Sequence, residues 1–143
     1  MTLLEFTQHN NIAFNNQKLL EQAFIHRSYI NENPKSGLLH NERLEFLGDA
    51  VLELVVTEYL YNHYPQHNEG DLTAYRSALV NAVTLGSVAD SLMFNDMLKL
   101  SKGEAKDVSR ARSSILADAY EAFIGALYLD QGYDTVKTFI SKT

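Results

Sequence analysis

The chain has 143 residues, 45% of them hydrophobic, with 12 Lys and Arg against 18 Asp and Glu, five His and no Cys. That length suits one compact domain, and the missing cysteines exclude disulfide staples and thiolate metal sites, so a metal would need carboxylate, carbonyl or imidazole ligands. A formal charge of −6 and a pI near 5.3 exclude a protein that grips nucleic acid by overall basicity; such a partner would require bound divalent cations, a local basic strip or a separate domain.

Proline occurs only at positions 34 and 65 and glycine seven times, so long helices are permitted and an all-α fold is expected. The opening "TLLEFTQHN" predicts a short amphipathic start. It lacks the basic then apolar pattern of a secretory leader, and no window approaches the roughly 18 apolar residues of a membrane span, so a soluble, cytoplasmic chain with no membrane partner is expected. "NQKLLEQAFIH" predicts a helix with Leu19, Leu20 and Phe24 inward, and "NENPKSGLLHN" a loop. A long apolar and acidic helix is expected from about Asn41 to Tyr64, ended by Pro65. "PQHNEGD" predicts a loop, with Asp71 as N-cap of "LTAYRSALVNAVTLGSVADSLM", itself two helices broken near Asn81. "NDMLKLSKGEAKDVSRAR" is polar and partly irregular, "SSILADAYEAFIGALYLDQG" a helix stopped at Gly132, and "YDTVKTFISKT" a final helix. No repeat, low-complexity tract or interdomain linker interrupts the chain.

Two acid constellations carry the chemistry. Glu42, Glu45 and Asp49 fall within roughly 60° of one another on a helical wheel, with Leu44, Leu47, Val51, Leu54 and Val55 expected as the core stripe on the opposite arc. Such an arc is ordinarily a solvated face. Phe46 projects from the acidic side, however, and Val56 and Leu60 continue it, so something is expected to dock there. In the second constellation Asp118 and Glu121 lie one turn apart in a helix that is apolar nearly all round, and such helices are buried. Two carboxylates there are tolerable only if something positive meets them. Ser114 and Gly125 leave the line through Asp118 and Glu121 open to another helix or a ligand. Two arrangements satisfy the electrostatics: structural ion pairs with Arg43, Arg76 or Arg112, or convergence of the two acid sets on a divalent cation, for which oxygen-only ligation suits Mg²⁺, with Mn²⁺ as a substitute. The acids outnumber the arginines, which favours the cation. Glu69 in the "NEGD" loop could reach the rim of that cluster. His63 and His67 have metal-ligand spacing, but Pro65 breaks the helix that would align them. His26, beside Arg27 and Ser28, could bind a phosphate or cap a helix end. No nucleophile elbow or Gly-rich phosphate loop is present.

"NERLEFLGDAVLELVV", followed some seventy residues on by "SSILADAYEAFIGALYLD", resembles the catalytic domain of bacterial ribonuclease III, whose Asn-Glu-Arg-Leu-Glu-Phe-Leu-Gly-Asp signature is matched at every position from Asn41 to Asp49. "HRSYINE", "EGDLTAYRSALVN" and "LSKGE" extend the resemblance from about Leu19 to Tyr133. It implies an all-helical endonuclease domain over residues 1–143 that dimerises and cuts both strands of double-stranded RNA, in ribosomal and messenger RNA processing, leaving short 3′ overhangs with 5′-phosphate and 3′-hydroxyl ends. By motif position it implies Glu45, Asp49, Asp118 and Glu121 as metal-binding acids, with Asp49 and Glu121 foremost in catalysis. Glu42 and Glu69 are implied as acids of the cleft, and Phe46 as the aromatic knob of a homodimer. Candidate phosphate contacts are His26, Arg27, Arg76, Lys102, Lys106, Arg110 and Arg112. Bacterial members also carry a C-terminal double-stranded-RNA-binding domain, absent from this chain; the ending at "FISKT", inside a helical segment, favours truncation over a short natural variant. Two alternatives remain: a catalytically silent RNA-binding or dimerisation scaffold of the same fold, opposed by the intact acids, and an unrelated helical metal phosphohydrolase acting on nucleotides, opposed by the absence of any His-Asp pair.

Overall fold

The apolar spacing anticipated above is realised as helices joined by short capped turns, with no strand beyond one bridge between Ile25 and Lys99. The computed structural model describes all 143 residues. In chain order the helices are α1 (Leu3–His9), α2 (Gln17–Gln22), α3 (Arg27–Glu32), α4 (Glu42–His63), α5 (Glu69–Leu79), α6 (Ala82–Ser91), α7 (Lys102–Lys106), α8 (Arg110–Gln131) and α9 (Tyr133–Lys142), with a 3₁₀ turn at Phe94–Asp96. No helix is long and apolar enough to cross a membrane.

Side-chain oxygens that accept the otherwise orphaned first-turn N–H groups set most of the starts. Thr2 and Glu5 form a reciprocal capping box, and Asn81 caps α6 at the expected break between the two helices. The start of α5 differs from expectation. Asn68, not Asp71, is the cap, accepting the Asp71 N–H at 2.9 Å. Glu69 is therefore the first helical residue and not part of a loop; first-turn N–H groups need no intrahelical partner, and an acid there is favoured by the helix dipole. Gly132, at φ +86°, ends α8 as anticipated.

The two longest helices, α4 and α8, share the most extensive contact in the molecule. α8 is the interior axis: every residue from Ile115 to Leu127 is buried except Asp118 and Glu121, which are half-buried. Around it sits an aromatic cluster in edge-on contact, with ring centroids of Phe6 and Phe123 5.3 Å apart, Phe24 and Phe94 4.8 Å, and Phe123 and Phe139 5.1 Å. The α4–α8 crossing is made at two glycines. A Cβ on Gly48 would overlap the Glu121 carbonyl and stand 2.9 Å from the Gly125 nitrogen; one on Gly125 would overlap the Leu44 carbonyl. The backbones touch, and that closeness brings side chains of the two helices together one turn to either side.

The buried arc of α4 is rotated from the expected stripe. Leu44, Val51 and Val55 are buried and Leu47 half-buried, but Leu54 is 56% exposed, whereas Leu52, Val56 and Leu60 are buried. Val56 and Leu60 lie on the line of the acids, so the acid line runs along the edge of the face packed inward, not opposite to it. The outward arc carries Phe46, Leu54 and Tyr61, all exposed.

Candidate active site

The first turn of α4 is pinned before any acid is placed. Asn41, buried at 4% exposure, donates its side-chain amide to the Ala23 carbonyl at 3.0 Å and its backbone N–H to Ile25 O at 2.9 Å. The same short segment is held from its other side: Lys99 N–H donates to Phe24 O and His26 N–H to Lys99 O. Glu42 and Glu45 then fall in the first turn of α4, where the helix dipole favours negative charge.

The glycine crossing sets these acids against α8. Carboxylate oxygens of Glu45, Asp118 and Glu121 all lie within 4.8 Å of one another. Glu45 and Asp118 are close enough to share a proton, as are Asp49 and Glu121. No guanidinium or ammonium lies among them: the carboxylate ion pairs of the molecule involve Glu5, Glu42, Glu58, Asp71 and Asp96 only. Burial and like-charge neighbours act accordingly. Burial first, then Asp118, Glu42 and Asp49, push Glu45 up to about 7. Burial, then Asp49, Glu45 and Asp118, push Glu121 up to about 9. Asp118 is also raised, chiefly by burial. A half-buried, cation-free set of converging carboxylates could hold a metal ion, and hard-cation ligation is the arrangement that would let all of them ionise.

This has a measurable consequence for the metal-free protein. Glu45 and Glu121 start from an ordinary value of 4.5 and are raised on folding, so between about 4.5 and 9 the native state binds more protons than the unfolded one. Stability is then fully present at the acidic end and lost as pH rises. The melting temperature in chelator is expected to fall steadily from about pH 5 to about pH 9. Added Mn²⁺ should raise it, and more at the alkaline end, because ion and proton compete for the same oxygens. A flat profile would mean that the acids are not raised.

The remaining candidates are distributed as follows. Asp49 is exposed beside Glu121. Glu42 is exposed and paired with Arg27 at 3.3 Å. Glu69 does not reach the rim of the cluster within one protomer, because it follows the far end of α4, roughly 20 Å along the helix from Asp49 at 1.5 Å per residue. Phe46 is 84% exposed. His26 caps α3, its Nδ1 accepting the Ser28 N–H at 3.1 Å. Arg76 donates to Thr57 Oγ1 at 3.0 Å. Arg112 donates to Asn95 Oδ1 and to the carbonyls of Glu104 and Ala105, so its guanidinium ties together the segment ahead of α8 and is not displayed to a ligand. Lys102, Lys106 and Arg110 are exposed. Neither Arg43 nor Arg76 nor Arg112 neutralises the acids. Two residues the acid pattern does not reveal are Asn41, which anchors α4, and Gly48, which sets its distance from α8; a buried asparagine before a helix and a glycine inside one are their only signals.

Fold and site together define a helical domain of the nuclease type, in which two crossing interior helices carry a carboxylate cluster. The chain matches the family model described as Ribonuclease-III-like over residues 16–143. It is 52% identical over 139 residues to the ribonuclease 3 of Anoxybacillus flavithermus, covering 97% of this chain and 58% of that protein, and 53% identical over 137 residues to that of Bacillus cytotoxicus, covering 96% and 56%. Among solved structures, it is similar to the nuclease domain of ribonuclease III from Campylobacter jejuni, with a TM-score of 0.87 and 40% identity over 96% of this chain and 92% of that one. It is also similar to Dicer from Pichia stipitis, with a TM-score of 0.70 and 36% identity over 91% of this chain and 55% of that one. The chain belongs to the ribonuclease III family. It spans little more than half the length of the two bacterial relatives.

Proposed function

We propose that this chain is the catalytic domain of a divalent-metal-dependent endoribonuclease that hydrolyses phosphodiesters in both strands of double-stranded RNA, leaving 5′-phosphate and 3′-hydroxyl ends. The observation that carries the reading is the meeting of Glu45, Asp118 and Glu121 within 4.8 Å, from two interior helices, with no cationic side chain among them. Bound Mg²⁺, or Mn²⁺ in its place, supplies charge neutralisation at the scissile phosphate and makes a water more acidic. Glu45, Asp118 and Glu121 are the residues to hold it. Asp49, on the open side of the cluster beside Glu121, is placed with it to take a proton from an attacking water.

Double-stranded RNA fits a site that recognises backbone shape and phosphates with little sequence reading. Arg27, Lys102, Lys106 and Arg110, with His26 and Arg76 beside them, are the proposed phosphate contacts; Arg112 drops out because its guanidinium is already committed inside the fold. The exposed arc of Phe46, Leu54 and Tyr61 is an apolar surface of the kind that pairs protomers, with Phe46 as its knob. A twofold homodimer would offer one site to each strand and would let Glu69, remote within its own protomer, serve with Glu42 in the shared cleft. Processing of ribosomal and messenger RNA precursors in the cytoplasm is the setting this reading extends to.

Incubating the chain at low salt with long double-stranded RNA, with and without Mg²⁺, tests the proposal. Metal-dependent cuts in both strands are expected. Silence in every condition would favour the scaffold, and release of mononucleotides alone would favour a phosphohydrolase.

A further inference from the structure

His26 is tied into the fold through one side of its ring only. Nδ1 accepts the Ser28 backbone N–H at 3.1 Å and stands 2.7 Å from Ser28 Oγ. That hydroxyl in turn accepts the Ser101 backbone N–H at 2.9 Å, which leaves its proton free to point at Nδ1. An amide N–H can only donate, so Nδ1 must be the bare nitrogen and the ring proton must sit on Nε2. Protonating Nδ1 would forfeit the helix cap, and burial itself holds the imidazole below its ordinary value, with Arg27 acting in the same direction. The ring is thus a neutral donor of fixed tautomer. Nε2–H has no partner within the protein among its hydrogen bonds.

The charges that act on this ring are Glu104, Arg27, Asp118 and Glu42, and the influence of Asp118 is reciprocal. Asp118 is half-buried, beside Glu45, with no N–H donor of its own. A carboxylate that holds a hard cation generally needs its outer oxygen oriented by such a donor. We propose that His26 is a positioning residue for the cation site, its Nε2–H orienting the Asp118 carboxylate while its Nδ1 caps α3. This rests on the reading of the carboxylate cluster as a cation site. It joins the N-terminus of α3 to the chemistry of α8 across the Ser28–Ser101 link, and gives "HRSY" a role besides phosphate contact.

The two functions of the ring can be separated. Asn at position 26 places an acceptor where Nδ1 stands and is among the best N-caps, but it cannot reach the Nε2 position; Gln can place an N–H near Nε2 but is a poor cap. Mn²⁺ affinity of the 143-residue chain, measured by titration calorimetry with Mn²⁺ alone, and metal-free melting temperature are the two readouts. His26→Asn is expected to melt as the wild type does and to bind Mn²⁺ about tenfold more weakly or worse. His26→Gln is expected to melt lower and to keep Mn²⁺ affinity within about threefold, since the donor survives. Wild-type affinity in His26→Asn would overturn the proposal, as would equal losses of affinity in both variants tracking their melting temperatures, which would make the effect structural. Failure of the wild-type chain itself to bind Mn²⁺ would overturn the cation-site reading and this inference with it, and is distinguishable because no variant is needed to see it.

Discussion

Glu121→Gln is expected to lower the rate of double-stranded RNA cleavage by about a hundredfold or more, the scale on which losing one preorganised electrostatic group acts, while leaving the fold undisturbed. Both halves follow from one environment. Burial together with Asp49, Glu45 and Asp118 raises the Glu121 carboxyl to about 9, so in metal-free protein near neutral pH it is protonated, and a Gln amide matches that protonated acid in size and charge. Metal-free melting temperature at about pH 8 should therefore equal or exceed that of the wild type. With metal present the comparison reverses, because the amide cannot offer the anionic oxygen that holds the cation. Mn²⁺ should stabilise the wild type and have little effect on the variant. Cleavage at the wild-type rate by a folded Glu121→Gln would remove this residue from the site.

The second large effect falls on a residue with no functional group. Gly125→Ala is expected to destabilise the chain by about 3 kcal/mol or more, the upper end of what overpacking costs, since the added methyl would meet the Leu44 carbonyl and, at 3.1 Å, the Gly48 nitrogen. Backbone atoms cannot swing aside as a flexible side chain can. Any relief must come from parting α4 and α8, which would also draw Glu45 away from Asp118 and Glu121. Urea unfolding and Mn²⁺ titration should therefore fail together, even though Gly125 touches no ligand. A Gly125→Ala protein of wild-type stability would show that the helices do not cross backbone to backbone.

That coupling explains which parts of the molecule could be seen in the sequence. The acids were legible because burial contradicts them: Asp118 and Glu121 lie in a run of apolar side chains that only an interior helix can use, and the Asn41–Asp49 signature supplied the second set. The helix limits at Tyr64, Asn81 and Gly132 were equally legible, each resting on local chemistry in the form of a following proline, a capping amide and a positive φ. What was not legible depends on the neighbour across the interface. On a wheel, Leu54 is as good a core residue as Leu52; only the α4–α8 contact rotates the buried arc so that Leu52 goes in and Leu54 stays out. Asn68 and Asp71 are both good caps, and the choice between them turns on a single hydrogen bond. Arg112 looked available to a phosphate because nothing local reveals that Asn95 and the carbonyls at 104 and 105 claim it. Gly48 was visible only as a letter of the family signature, while its physical role belongs to the partner helix.

The most direct test of a cation among these carboxylates is an anomalous difference map from crystals of the chain soaked in Mn²⁺. A peak is expected within coordination distance of Glu45, Asp118 and Glu121 together, bridging α4 and α8. At saturating Mn²⁺, a map with no density between those three side chains, or with a basic side chain turned in to occupy the space, would contradict it.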